Sequence, residues 1–164
     1  MAARTTKTTR FAHTHLDEAN EYAKSHSTCA KVQVGSLIIP KGRIRHIYGC
    51  NHGVMDCVTN GCRRVRLYGE NSKAHRLPSD CDALHSEIDA ICNAAKEGID
   101  LDGATIFVTR YPCEACARAV CQAGIKTVIY GRNESISDYT HLIFETYGVT
   151  VKKIDDWTEE DNNA

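Results

Sequence analysis

The spacing of apolar residues changes period several times along the 164-residue chain, and each change marks an element. From Leu16 to His26, Ala19, Tyr22 and Ala23 share one helical face, and Asp17 and Glu18 sit near the start, where carboxylates favour the helix dipole. Val32, Val34, Leu37 and Ile39 are β-rich, Pro40-Lys41-Gly42 turns the chain, and Arg43 to Tyr48 returns, which predicts a hairpin. Asn51 to Leu84 then loses all periodicity. A stretch that long is normally functional or held together by something other than its own core, such as a metal, so it reads as a lid or insertion. Ile88, Ile91, Cys92 and Ala95 restore a helical stripe from about Ser86 to Glu97, stopped by Gly98.

Ala104, Ile106 and Val108 alternate with Thr105, Phe107 and Thr109 and predict a half-buried strand that ends before Tyr111-Pro112. Pro112 suits the first position of the next helix, whose stripe is Cys116, Ala117, Val120 and Cys121 and whose stop is Gly124. Lys126 to Tyr130 reads as a strand, Tyr139 to Tyr147 as a helix closed by Gly148, and Val149 to Ile154 as a last strand. Strands alternating with helices predict one three-layer α/β domain over 1–164, with the insertion at 51–84 and a frayed, solvated acidic tail at 155–164.

Composition narrows the function. Forty-two per cent hydrophobic and 25% charged residues support a packed core and exclude disorder. Twenty basic against 21 acidic residues give a net charge of −1, which disfavours a dedicated duplex-nucleic-acid binder. Met1 to Arg10 is charged without an apolar run after it, and no run approaches the ~20 residues of a membrane span, so a reducing cytoplasm is the expected compartment. Nine cysteines and eight histidines exceed what packing needs, and an odd thiol count in such a compartment points to metal sites or burial before disulfides. Cys50, Cys92 and Cys121 are read as packing thiols.

The chemistry concentrates at two helix starts. His85-Ser86-Glu87 opens one and Pro112-Cys113-Glu114-Ala115-Cys116 the other, so two N-termini can converge. Thiols at C-x-x-C spacing in a first turn point the same way, and the dipole there favours the thiolate that zinc binds. A C-x-x-C alone is equally a redox pair or half of a structural zinc ribbon. His85, Cys113 and Cys116 together make three donors, the number that leaves a position for water, and Glu87 is a carboxylate beside them.

H-x-E followed by P-C-x-x-C resembles the zinc-dependent cytidine and deoxycytidylate deaminase superfamily from about Leu16 to Ile154. The resemblance implies a three-layer α/β/α cytidine-deaminase-like fold with a mixed five-stranded sheet. It implies a catalytic zinc on His85, Cys113 and Cys116 and proton transfer by Glu87 as water adds to C4 of cytosine. By the same resemblance Asn51, in Gly49-Cys50-Asn51, contacts the sugar, and Tyr111 lines the base pocket.

A histidine with Ser-Glu at this motif is similar to the deoxycytidylate branch, which converts dCMP to dUMP for thymidylate supply. Members of that branch carry a cysteine-bearing insertion, assemble as homo-oligomers, often hexamers, and respond to dCTP and TTP. The resemblance then implies a second, structural zinc on Cys29, Cys57 and His75, with Cys81 or Cys62 as fourth ligand. A 5′-phosphate requires cations, for which Arg63, Arg64, Arg66, Arg76 and Arg110 are candidates. Two motifs depart from the family pattern. H-A-E-x-N-A reads His85-Ser86-Glu87-Ile88-Asp89-Ala90, and G-Y-N-G reads Gly49-Cys50-Asn51-His52. Rival readings are a deaminase of dCTP or modified dCMP, a tRNA or single-strand editor, and a zinc-stabilised interaction module. Glu87 speaks against the last, because a structural site has no use for a carboxylate that is not a ligand.

Overall fold

The structure, a computed structural model, describes residues 7–42, 44–69, 81–132 and 137–157. Helix α1 (Lys7–His26) begins well upstream of the expected Leu16. Ala12 and His15 extend the buried stripe of Ala19 and Ala23 by two turns, a pattern masked in the sequence by the polar residues between them. Strands β1 (Gly35–Ile39) and β2 (Ile47–Cys50) form the expected antiparallel hairpin, with Leu37 opposite Tyr48. The first strand starts at Gly35 and not at Val32, because the backbone groups of Val32 and Val34 bond to Asn51 instead of to a neighbouring strand.

The 51–84 segment holds short pieces of regular structure: β3 (His52–Gly53), α2 (Cys57–Asn60), α3 (Arg63–Tyr68) and β4 (Ala83–Leu84), with β3 and β4 paired. None is long enough to show a period. Asp56 caps α2 by accepting from the Val58 and Thr59 amides.

Helix α4 (Ser86–Lys96), strand β5 (Thr105–Arg110), helix α5 (Glu114–Gln122), strand β6 (Thr127–Arg132), helix α6 (Asp138–Thr146) and strand β7 (Thr150–Lys153) complete the domain. The mixed sheet has the order β2-β1-β5-β6-β7, antiparallel on the hairpin side and parallel from β5 to β7. One face packs Leu37, Phe107 and Ile129 against α1, and the other packs Ile38, Ile106, Val108 and Val128 against α4, α5 and α6. Strand β5 is therefore buried on both faces and not on one, as befits a strand with helices on either side.

Three further expectations need correction. Pro112 precedes the helix without joining it: Cys113 is extended (φ −77°, ψ 169°) and caps α5 at Glu114. The buried face of α4 is Ser86, Glu87, Asp89, Ala90 and Ala94, whereas Cys92 is exposed and is not a core thiol. The reason lies in β2, where a β-carbon on Gly49 would run into Ser86 O and Ala90 N, so α4 presses its small polar face onto the sheet. The acidic tail does not fray at once. A 3-10 turn (Ile154–Asp156) returns Ile154 and Trp157 to the α1 side of the core, and residues 158–164 lie outside the described set. All nine cysteines are free thiols.

Candidate active site

The N-termini of α4 and α5 meet. His85 caps α4 and Cys113 caps α5, and His85 Nδ1 lies 3.4 Å from the Sγ atoms of both Cys113 and Cys116. The three donor atoms all fall within 4.8 Å of one another. Donors about 2.0–2.3 Å from a shared tetrahedral zinc stand roughly 3.3–3.8 Å apart, so the spacing and the imidazole–thiolate chemistry fit that ion. The chain itself favours charge separation here. Hydrogen bonding from the Cys116 thiol, and then from His85, holds Cys113 down to about 3 against the effect of burial. Cys116, which gives its hydrogen to Cys113, is pushed up, and His85 is raised by the Cys113 hydrogen bond.

Glu87 stands one residue into α4 from Ser86 and is buried. Burial raises its pKa, opposed in part by hydrogen bonding and by His85. Ser86 Oγ donates to Glu87 Oε2 at 3.1 Å and is itself 2.7 Å from Ser36 Oγ on β1, a relay that fixes the carboxyl. A buried carboxyl with a raised pKa, beside three metal donors, is equipped to accept and release a proton.

Both groups open into a cavity of about 340 Å³, near the lower end of the ~300–1,000 Å³ usual for small-molecule sites. Asn51, Tyr111 and Arg110, named from the sequence, all line it. Asn51 is largely engaged by protein: Nδ2 donates to Val32 O, and Oδ1 accepts from Val34 N and Ser27 Oγ, which leaves one Nδ2 hydrogen for a ligand. Its amide therefore also builds the 32–34 wall. The Tyr111 ring stands edge-on to Tyr130 at 4.8 Å. Among the arginines, Arg64 and Arg110 reach the cavity, Arg63 pairs with Asp82 and Arg66 donates to Asn60 O, while Arg76 lies outside the described residues. Lys31 also lines the cavity and was not a candidate, because nothing in its local sequence distinguishes it from a surface lysine.

Cys29, Cys62 and Cys81 form another part of the same wall. Burial raises the Cys57 pKa, and the neighbouring thiols of Cys62, Cys29 and Cys81 raise it further, so these four sulfurs lie near one another. They are more loosely gathered than the His85 trio. His75 falls outside the described residues.

A profile of the MafB19-like deaminases matches residues 12–160. The chain belongs to the MafB19-like deaminase family. This MafB19-like deaminase is 34% identical over 145 residues to ComE operon protein 2 of Bacillus subtilis, covering 83% of the chain and 71% of that protein. It is 41% identical over 76 residues to the deoxycytidylate deaminase of Enterobacteria phage T4, covering 46% of the chain and 39% of the phage protein. The match thus spans well under half of that relative. The crystal structure of dCMP deaminase from the cyanophage S-TIM5 in complex with dCMP and dUMP superposes with a TM-score of 0.63 at 23% identity, covering 88% of this chain and 96% of that one. That likeness shows that the fold is shared, and the deaminase is a member of the cytidine and deoxycytidylate deaminase superfamily. Among its described residues, no helix is long and apolar enough to cross a membrane.

Proposed function

We propose that this deaminase hydrolyses dCMP to dUMP and ammonia. The observation that carries the reading is a single cavity lined by buried Glu87, by His85 and Cys113 of the His85–Cys113–Cys116 trio, and by Lys31, Arg64 and Arg110. A cavity with cations on its wall suits a monophosphate better than an uncharged nucleoside. His85, Cys113 and Cys116 would hold zinc, which supplies a Lewis acid that lowers the pKa of water toward ~7. Glu87 accepts a proton from the water that attacks C4 of the cytosine and passes it to the ring nitrogen. It then takes the proton of the new C4 hydroxyl and delivers it to the amino group as the C–N bond breaks and the C4 carbonyl forms, so that one water is consumed and one ammonia released. Ser86 and Ser36 hold Glu87 in place through these transfers.

A second, structural zinc on the insertion belongs to the same reading. Its support is the gathering of Cys29, Cys57, Cys62 and Cys81, with the Cys57 amide donating to Thr28 O at 3.0 Å so that α2 is tied to the Cys29 segment. The expected set is Cys29, Cys57 and His75 with Cys81 or Cys62 as the fourth donor, and His75 lies outside the described residues. Assembly into homo-oligomers, hexamers by resemblance, is supported by the exposed Val54, Met55 and Val58 on this insertion.

The test is release of the 4-amino group from dCMP, CMP, dCTP, deoxycytidine and a short single-stranded oligonucleotide, offered in turn to zinc-loaded protein. Preferential turnover of dCMP supports the reading, and turnover of dCTP or the oligonucleotide with dCMP inert overturns it.

A further inference from the structure

On the α1 side of the sheet, away from the cavity, His15 and Glu18 share one face of α1, and His46 reaches them from the turn entering β2. His46 Nδ1 lies 3.0 Å from Glu18 Oε2, and His15 Nδ1 lies 3.5 Å from the same oxygen. All three donor atoms are within 4.8 Å of one another. Nitrogen and oxygen donors bound at about 2.0–2.2 Å to one tetrahedral ion stand roughly 3.3–3.5 Å apart, so these separations bracket the expected value. A second observation comes from His15 alone. The residue is 5% exposed, yet neither ring nitrogen has a hydrogen-bond partner: Nδ1 is near Glu18 but out of hydrogen-bond geometry. Buried polar atoms are nearly always satisfied, so an orphaned imidazole facing a carboxylate and a second imidazole lacks a partner that binds all three.

We propose that His15, Glu18 and His46 form a further metal site of the two-histidine, one-carboxylate type, which takes a divalent first-row transition ion, zinc foremost. The donor set excludes the hard oxygen-seeking cations, for which imidazole is a poor ligand. Tyr48 supports the site from outside: its hydroxyl donates to Glu18 Oε2 at 3.1 Å, the kind of contact that orients a ligating carboxylate. His46 and Glu18 are part-exposed, with side chains 28% and 35% accessible, so the ion has a path in from solvent. Bound there, it clips α1 to the edge hairpin of the sheet. It takes no part in deamination, and the site stands or falls independently of the dCMP reading.

Protein whose thiol sites are already filled with zinc is titrated with Co2+ and followed by its visible absorption. The proposal expects one further equivalent, with ligand-field bands and no thiolate-to-cobalt charge transfer, since no sulfur is present at this site. His46→Gln and Glu18→Gln, both part-exposed positions, should each weaken that uptake more than tenfold while leaving the far-UV circular dichroism unchanged. Absence of saturable uptake in the wild type, uptake carrying thiolate charge transfer, or unchanged affinity in either variant would each overturn the proposal.

Discussion

His52 Nε2 lies 3.1 Å from Asp89 Oδ1, and the other oxygen of that carboxylate accepts the Cys50 amide at 3.0 Å. His52 and Asp89 are two of the four positions, with Cys50 and Ser86, at which these motifs leave the pattern the chain otherwise resembles, and they are in contact. A carboxylate on α4 is matched by a histidine at the start of β3, so these two departures form a compensated pair that ties the Asn51 segment to the helix bearing Glu87.

Asp89→Ala should destabilise the fold by about 1–3 kcal/mol, because it leaves the buried Cys50 amide unpaired. Asp89→Asn retains an acceptor and should cost less. Denaturant unfolding of both variants, and of each combined with His52→Ala, checks this. Equal stabilities for Asp89→Ala and the wild type would show that the amide finds another partner.

Glu87→Gln should keep the metal content of the protein and lower kcat by about 10²–10⁴-fold, since the amide can neither take nor give the proton. Cys113→Ala should lose the catalytic metal. Metal analysis beside single-turnover assays separates the two, and undiminished turnover in Glu87→Gln would remove Glu87 from the chemistry.

Arg64→Gln should raise KM for dCMP by roughly 10- to 150-fold, the scale of one charge-assisted hydrogen bond of ~1.5–3 kcal/mol, while leaving any turnover of deoxycytidine unaltered. An equal change with both substrates would place the guanidinium away from the phosphate.

Cys50 makes stability depend on alkaline pH. Burial, and then the Asp89 charge, push its thiol from 9.0 up to about 11. The unfolded chain therefore releases this proton first. The stabilisation is complete below pH 9 and is lost between pH 9 and about 11, to the extent of about 2–3 kcal/mol at ~1.4 kcal/mol per unit. Unfolding free energies measured from pH 7 to 11 should fall less steeply in Cys50→Ala than in the wild type. Parallel curves would mean that another group is responsible.

Gly49→Ala should lower the melting temperature and the activity together. The added carbon meets backbone atoms of Ser86 and Ala90, which cannot swing aside as a side chain would, so α4 has to move and carry Glu87 with it. Full activity with a normal melting temperature would show that the helix position tolerates the shift.

The His85–Cys113–Cys116 trio is legible in the sequence because its members lie at fixed offsets from two helix starts, and backbone geometry turns such offsets into proximity. The sheet is legible for a similar reason, since its strands alternate with helices. The buried face of α4 is not, because hydrophobicity points to Ile88, Ile91 and Cys92 whereas the contact with Gly49 selects small residues irrespective of polarity. Lys31 and the His15–Glu18–His46 cluster are equally hidden. Each depends on chain segments meeting across the fold, and a lysine or histidine carries no local mark of what it will meet.

The convergence of α4 and α5 has an electrostatic result of its own. A helix N-terminus acts as roughly half a positive charge, so two of them directed at one point supply about one unit. The thiolate of Cys113 and the carboxyl of Glu87 thus sit in a field generated by peptide groups, which persists whatever side chains surround it. Substituting His85 removes one of the three donors, but the underlying pull on anions belongs to the backbone and survives the change.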